Sequence, residues 1–499
     1  MKTKRCDVAI IGSGFGGAGC AYALSRAGLD VIVIERGGYV ARDDEDWDPK
    51  EILIDKRYKS DVAMEIDQRE GKAPSLDYPN EVVGGNSIFY GGAALRMRER
   101  DFDTWPLSYA DFEPYYDAAE ALQEVRGQAG ADPFEPPRNV EYPRPPNALT
   151  PAAARIASAA RALEMKPFRI PIAIDFEGAG AREACISCFT CDGFPCKLGA
   201  KNDTQVILER ADAGHLEILA QTVAGRLQEE DGRIAKLCCQ PRGGGEPLEI
   251  EAETFIVAGG AVQSPAILLR SGLQRFDRSK LIGRNLMRHC NGMVGGVFPF
   301  RVNPEGKNHK QICLSDLYED RREEHGRAVG VIQDMCMPPK DAVRYLAPDG
   351  FRTAAATFSS FIQALICIAE DRPRRVNQVT LGDERDVYGL ERLRIIHRYA
   401  KEDYERRALL VGRARELLRE AGAVITKLRE VDSFSHAVGS VRFGEDSEAA
   451  PLDLHCRLHG LSNLYVVDGS FFPSSAGVNP SLTILANALR VSEQIVSTL

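Results

Sequence analysis

Residues 6–36 read CDVAIIGSGFGGAGCAYALSRAGLDVIVIER, and this stretch decides the fold. The short apolar run from Val8 to Ile11 predicts a buried strand. Gly12, Gly14 and Gly17 follow on the G-x-G-x-x-G spacing. A helix of small residues runs from Ala18 to Arg26, Gly28 ends it, and a second apolar run, Val31 to Ile34, delivers Glu35 and Arg36. Each part meets a physical need. Gly12 permits the tight turn, Gly14 lets backbone approach a pyrophosphate, and Gly17 lets helix and strand pack closely. The helix start offers unpaired N–H groups and a positive dipole end to the phosphates. Glu35 is placed to accept hydrogen bonds from an adenosine ribose, and its charge disfavours a 2′-phosphate. An ordinary glycine-rich turn would not require strand, helix and acid in this order. On these residues alone the nucleotide is FAD or NAD.

The chain has 499 residues, too many for one hydrophobic core, so two or more domains are expected. A net charge of −9 argues against a nucleic-acid partner gripped through its phosphates. No apolar run is long enough to predict a membrane-spanning helix. Lys2, Lys4 and Arg5 ahead of an apolar stretch resemble a secretory signal, but Asp7 interrupts that stretch and its glycines belong to the nucleotide turn; a strand of the mature fold is expected instead. The thirteen cysteines are an odd number, and Cys20, Cys238, Cys313 and Cys367 sit in apolar runs like small hydrophobes. A reducing, cytoplasmic compartment fits this better than a disulfide framework.

Outward from the opening unit, residues 38–80 are polar and irregular, an excursion expected to run over the surface and cover the cofactor. Residues 84–94, GGNSIFYGGAA, form a glycine-rich loop, and 132–146 are a proline-rich connector. Helix signals resume at 151–164. Short strands are expected around the turn Glu230-Asp231-Gly232. Residues 252–274 repeat the opening theme: a strand from Thr254 to Ala258, Gly259-Gly260, and a helix opening near Ser264-Pro265. Residues 296–400 read as strand-rich, 401–421 as a charged amphipathic helix, and 462–499 as strand, Asp468-Gly469, loop and final helix. Nucleotide-type units at the start, middle and end imply one domain assembled from separated pieces, with the strands between them forming a second.

These pieces, in this order, resemble the glucose–methanol–choline (GMC) oxidoreductases, which are FAD enzymes. The resemblance spans most of the chain. It rests on the N-terminal fingerprint, GGNSIFYGGA at 84–93, FIVAGGAVQSPAILLRSG at 255–272, IGRNLMRH at 282–289, HAVGSVRFG at 436–444 and LYVVDGSFFPSSAGVNPSLTILANALR at 464–490. It implies an α/β fold: a discontinuous Rossmann-like FAD-binding domain (1–110, 198–298 and 433–499) plus an antiparallel-sheet substrate-binding domain (111–197 and 299–432). Gly12, Gly14, Gly17, Glu35, Arg36, Gly85, Asn86, Gly91, Gly92, Val223, Ala258, Asp468, Pro480 and Thr483 are the implied cofactor-binding positions. His436 occupies the family's catalytic histidine and Asn479 its second active-site position. The His plus Asn pairing within V-N-P resembles pyranose and cholesterol oxidases and related sugar oxidoreductases. The run SIFYGGAALRMRERDFD resembles enzymes acting on aminoglycoside and C-glycoside sugars. Some pyranose oxidases attach flavin covalently through a histidine in the loop after the Gly-Gly pair. Phe89 and Tyr90 stand there in this chain, so non-covalent FAD is expected.

The implied reaction removes a proton from a hydroxyl and a hydride from its carbon. A base within about 3 Å of the hydroxyl must take the proton, and histidine is suited to this near neutral pH. His436 is placed for that role and Asn479 for orienting the hydroxyl. Asn479 is otherwise a plain helix-cap or turn residue. Pro480, Ser481 and Thr483 open a helix whose positive end would face the flavin and stabilise its reduced, anionic form. Asp468, just after a strand, is expected to hold ribityl or ribose hydroxyls. His289 is read as structural, His455 and His459 as surface residues, and Arg96, Arg98 and Arg100 as a solvated face.

Cys185, Cys188, Cys191 and Cys196 have the spacing C-x2-C-x2-C-x4-C, one residue longer than a bacterial ferredoxin run. An iron–sulfur cluster, a zinc site and a metal-free loop all remain open. The expected function is FAD-dependent oxidation of an alcohol on a sugar or glycoside, with oxygen or a redox carrier as acceptor. The alternatives are a sterol or hydrophobic-alcohol oxidase, and the flavin subunit of an iron–sulfur electron-transfer dehydrogenase.

Overall fold

The computed structural model describes residues 2–68, 73–178, 182–188, 190–304, 306–307, 309–320, 322–335 and 339–499. Strand Lys2–Ile11 lies inside a parallel sheet. It pairs with Val31–Ile34 on one edge, Val8 opposite Val31, and with Leu248–Val257 on the other, Ile11 opposite Val257. Leu216–Leu219 extends the sheet beyond Val31–Ile34, and Leu464–Val466 pairs in parallel with Phe255–Val257. Val8–Ile11 and Val31–Ile34 are wholly buried, which is why the sequence shows continuous apolar runs and not alternation. On its other edge the start of Leu248–Val257 pairs antiparallel with Arg233–Pro241, which forms a hairpin with Thr222–Glu230. Their two-residue loop, Asp231 and Gly232, has positive φ at both positions, as the twist of such a hairpin requires. Helix Phe15–Arg26 packs on the C-terminal helix Ser481–Thr498. Gly19 permits the approach: a methyl there would stand 2.8 Å from Leu485 and 2.9 Å from Ala488.

A second sheet is antiparallel, in the order Ile425–Glu430, Gly292–Val297, Ile362–Ala369, Gly330–Asp334, Ile312–Leu314, Phe168–Arg169. Helices Pro151–Ala162 and Lys401–Glu420 cover it through Ile156, Leu410, Leu417 and Leu418, packed with Val294 and Leu365. A third, smaller sheet joins Gln378–Arg385 and Glu391–Ile396 to Met64–Asp67 and Ser75–Asp77. The 38–80 excursion is therefore partly ordered as sheet; its residues 69–72 lie outside the described residues.

Three local expectations change. The helix expected near Ser264-Pro265 begins at Gly260 and carries Pro265 inside it. Ser264 Oγ accepts from the Gly259 N–H, which holds the earlier start. The stretch 296–400 also contains helices Lys340–Leu346 and Arg352–Phe358. Arg96 and Arg98 are buried and not solvated. Arg96 bonds Glu120 at 2.6 Å and Asp117 at 2.6 Å, and Arg98 pairs with Asp132, while Arg100 stays exposed. The acids come from helix Tyr109–Leu122 and the proline-rich connector, and without them these charges would not tolerate burial.

Candidate active site

The glycines of the opening turn differ in their surroundings. A methyl on Gly12 (φ +101) would stand 2.5 Å from the Ala258 carbonyl oxygen, and one on Gly17 would overlap the Gly12 carbonyl oxygen. Gly14 has nothing within 4 Å of the position its Cβ would take. Its backbone faces open space at the start of helix Phe15–Arg26, where no side chain caps the helix and no acid stands in the first turn. This is a cradle that a diphosphate fits. Ser13, which the sequence reading did not single out, staples the cradle: its hydroxyl bonds Glu35 at 2.6 Å and accepts from the Gly84 N–H at 2.8 Å. Gly85 then lies against Gly14, and Asn86, exposed beyond it, bonds Asn80 at 3.0 Å.

Glu35 accepts from Ser13 N, Ser13 Oγ and Gly37 N, and burial pushes its pKa up. With roughly four acceptor positions on a carboxylate, one is left for a ribose hydroxyl. Arg36 pairs with Glu81 at 2.9 Å and lies over the Tyr388 ring, and its buried Nη2 has no hydrogen-bond partner among the described residues. Val223 and Ala258 are buried, Ala258 against Gly12, and Val223 next to Thr222, whose N–H donates to the Glu35 carbonyl at 2.9 Å. The geometry thus fits an adenine dinucleotide along Gly14, Glu35 and Arg36. Asp468 is buried among protein donors. Its carboxylate accepts from Gly260 N at 2.9 Å, Ser470 N at 2.8 Å and the hydroxyls of Ser264 and Ser470. These four bonds tie the 259–264 turn to the 468–470 turn. The Thr483 hydroxyl is likewise engaged, by Tyr116 at 2.8 Å. The Pro480 carbonyl accepts the first bond of the C-terminal helix from Ile484 N at 3.0 Å, and no side chain caps that helix start.

His436 and Asn479 meet: Asn479 Nδ2 lies 3.4 Å from His436 Nε2. Met287 and Val438 exchange backbone bonds of 2.9 Å in an antiparallel bridge, which sets residue 289 opposite residue 436. Gly439 (φ +90) allows this approach, since a methyl there would stand 2.9 Å from the Asn285 carbonyl oxygen; this is a physical reason for glycine in the H-x-x-G spacing. His289, read as structural, therefore presents Nδ1 3.0 Å from His436 Nδ1, and its Nε2 lies 3.0 Å from the Ser475 carbonyl oxygen. Asn479 Oδ1 accepts from Gln333 Nε2 at 2.7 Å. Gly477 makes that contact possible by packing against Gly330, at the start of the strand that carries Gln333. Trp105 anchors the same loop, donating to Ser474 Oγ at 2.9 Å amid Phe443, Phe471 and Phe472. Burial, then the neighbouring His289 and Lys310, hold the His436 pKa well below its usual value, so the imidazole is neutral. His289 and Gln333 carried no local signal beyond a second histidine in one motif segment.

Gly91 faces the Asp192–Lys310 pair, leaving no room for a side chain, and Gly92 (φ +81) sits against Ile172 and Ile174. The cysteine loop adjoins this region. Lys201 Nζ donates to the carbonyls of Tyr90, Cys191 and Phe194 at 2.8 to 3.0 Å, tying that loop to the glycine-rich one. Cys185, Cys188, Cys191 and Cys196 line one small pocket. Among the described residues no group of three or more metal-ligating side chains is placed to hold a metal ion. Burial pushes the Cys185 and Cys188 thiols up, toward the protonated form that binds metal poorly. No described helix is long and apolar enough to cross a membrane.

Comparison with known proteins identifies the family. The GMC oxidoreductase models match residues 75–291 and 373–488, and an FAD dependent oxidoreductase model matches 7–44. The chain is 31% identical to 6'''-hydroxyparomomycin C oxidase of Streptomyces lividus, over 99% of this chain and 92% of that one. It is 29% identical to paromamine 6'-oxidase of Streptomyces fradiae, over 99% and 92%. Among solved structures, pyridoxine 4-oxidase from Mesorbium loti shares the fold with a TM-score of 0.67 at 21% identity, covering 98% of this chain and 99% of that one. The chain belongs to the GMC oxidoreductase family and is an FAD-dependent oxidoreductase acting on alcohol groups.

Proposed function

We propose that the alcohol is carried by a sugar or sugar-derived small molecule, that His436 is the base and that Asn479 orients the hydroxyl. The observation that carries this reading is the Asn479–His436 contact of 3.4 Å, with a neutral imidazole at its centre. A hydroxyl between the two side chains donates its proton to His436 Nε2 while the Asn479 amide N–H bonds its oxygen. FAD, when bound, supplies the acceptor for the hydride that leaves the carbon. The uncapped start of helix Ser481–Thr498, free of acids in its first turn, favours negative charge nearby. The relatives named for oxidation of 6'''-hydroxyparomomycin C and paromamine support an aminoglycoside-like substrate.

The same reading includes the division into a nucleotide-binding part (1–110, 198–298, 433–499) and a substrate-facing part (111–197, 299–432), non-covalent FAD, and a cytoplasmic setting. Acid precipitation should release all the flavin into the supernatant; flavin retained in the pellet would contradict non-covalent binding. An anaerobic screen of monosaccharides, amino sugars, glycosides and polyols should bleach the flavin. Bleaching by sterols or long-chain alcohols alone would contradict the sugar reading. Reoxidation in air separates oxygen from a redox carrier as acceptor.

A further inference from the structure

We propose that His289 is a positioning residue that sets the tautomer of His436 and so leaves Nε2 as the bare nitrogen facing the substrate; this rests on His436 being the base. The starting point is one backbone carbonyl. The Ser475 oxygen can only accept, so His289 Nε2, 3.0 Å away, carries the hydrogen. Burial holds His289 below the usual histidine pKa, so the ring is neutral and its Nδ1 is an acceptor. His436 Nδ1, 3.0 Å from it, must then donate. A neutral His436 with its proton on Nδ1 has a bare Nε2. Asn479 therefore turns its N–H toward that nitrogen and its carbonyl toward Gln333 Nε2 at 2.7 Å. Four successive hydrogen bonds run in one direction, and every donor and acceptor along them is consistent with the first.

A second observation shows that the position of His289 is held deliberately. His289 has φ +62, the left-handed region, at a backbone cost that persists only where the surroundings over-determine it. Asp371 does this: its carboxylate accepts from the backbone N–H of Arg288 at 2.9 Å and of His289 at 3.1 Å, and from the Ser475 hydroxyl at 3.0 Å. One buried acid thus holds both the ring that sets the tautomer and the residue whose carbonyl starts the chain. His397 in turn contacts Asp371 at 3.3 Å. Reversing the tautomer would put a hydrogen on Nε2, and the hydroxyl proton would have nowhere to go.

The test uses the FAD-loaded full chain. Nitrogen-15 histidine spectra of the oxidised enzyme should show His436 protonated at Nδ1 and bare at Nε2. Two variants supply the kinetic readout. His289→Ala removes the acceptor and should lower the limiting rate of flavin reduction about 100-fold, with substrate Kd and flavin content unchanged within about threefold. His289→Gln keeps one acceptor and one donor and should recover the rate to within about tenfold of the parent. A His436 protonated at Nε2, a His289→Ala rate equal to the parent, or a His289→Gln no faster than His289→Ala overturns the proposal. If His289→Ala does not fold, the spectrum of the unaltered enzyme decides. Full activity in His436→Ala would instead overturn the reading beneath it.

Discussion

At the nucleotide turn the contacts that fix the residue types lie within one strand–helix–strand unit, Gly17 against Gly12 and Ser13 and Gly37 on Glu35, with Ala258 and Gly84 closing it from farther along the chain. At the histidine junction they join side chains far apart, 147 residues between His289 and His436 and 146 between Gln333 and Asn479. The first region is a local solution to binding a diphosphate, and its residue types are dictated by backbone clearance. The second is assembled by the sheets, through the Met287–Val438 bridge and the packing of Gly477 on Gly330. Damage to the first should therefore cost the bound cofactor, and the fold as well where backbone clearance is lost; damage to the second should spare both and slow the chemistry.

Gly17→Ala tests the first half with the largest effect. The added methyl overlaps the Gly12 carbonyl, so flavin-loaded protein should be absent; its recovery at parental yield and flavin content would break the contrast. Gly14→Ala sharpens it, because Gly14 has φ −67 and open space around its Cβ. That variant should fold with an unchanged apoprotein Tm and bind FAD about 10- to 200-fold more weakly, measured by fluorescence titration.

In the junction, Gln333→Leu leaves the Asn479 carbonyl without its donor. It should lower kcat/KM about tenfold while flavin content stays at parental level. The pH profile isolates His436 from the rest. Its folded pKa is depressed, and the base works only when unprotonated, so the rate of flavin reduction should persist as pH falls past 6.5, the ordinary histidine value. An acid limb at or above 6.5 would contradict a desolvated imidazole.

The smallest effect concerns the strand carrying Gln333. Burial raises the Asp334 pKa to about 6, so relative to the unfolded chain its contribution favours the fold at low pH and is lost as pH rises through about 6. Asp334→Asn keeps an acceptor for Gln311 N and Ile312 N. It should be more stable than the parent at pH 7.5 by on the order of 1 kcal/mol, with the gap closing by pH 4, followed by urea unfolding.

The same contrast governs what was legible in the sequence. The parallel strands, the glycine turn, the Asp231-Gly232 hairpin and the helix Lys401–Glu420 all follow from local periodicity and turn chemistry, and the structure contains them. His436 and Asn479 stand out in the sequence because short motifs surround them, and the structure brings them within 3.4 Å of each other. Arg96 and Arg98 were misread because their acids lie on other segments. Asp468 accepts from Ser470, two residues on, and also from Gly260 and Ser264, 208 and 204 residues away, and the distant pair leaves no mark in the sequence around Asp468. His289 and Gln333 acquire their roles only through pairings between strands, which no spacing within a strand records.

The most direct test of the account is anaerobic stopped-flow reduction of the bound flavin by a substrate sugar, parent against His436→Ala. The parent should bleach completely. The variant should stay yellow, with full flavin content and a reduction rate lower by about 10²- to 10⁴-fold. A variant that bleaches at the parental rate would contradict the placement of the base at His436.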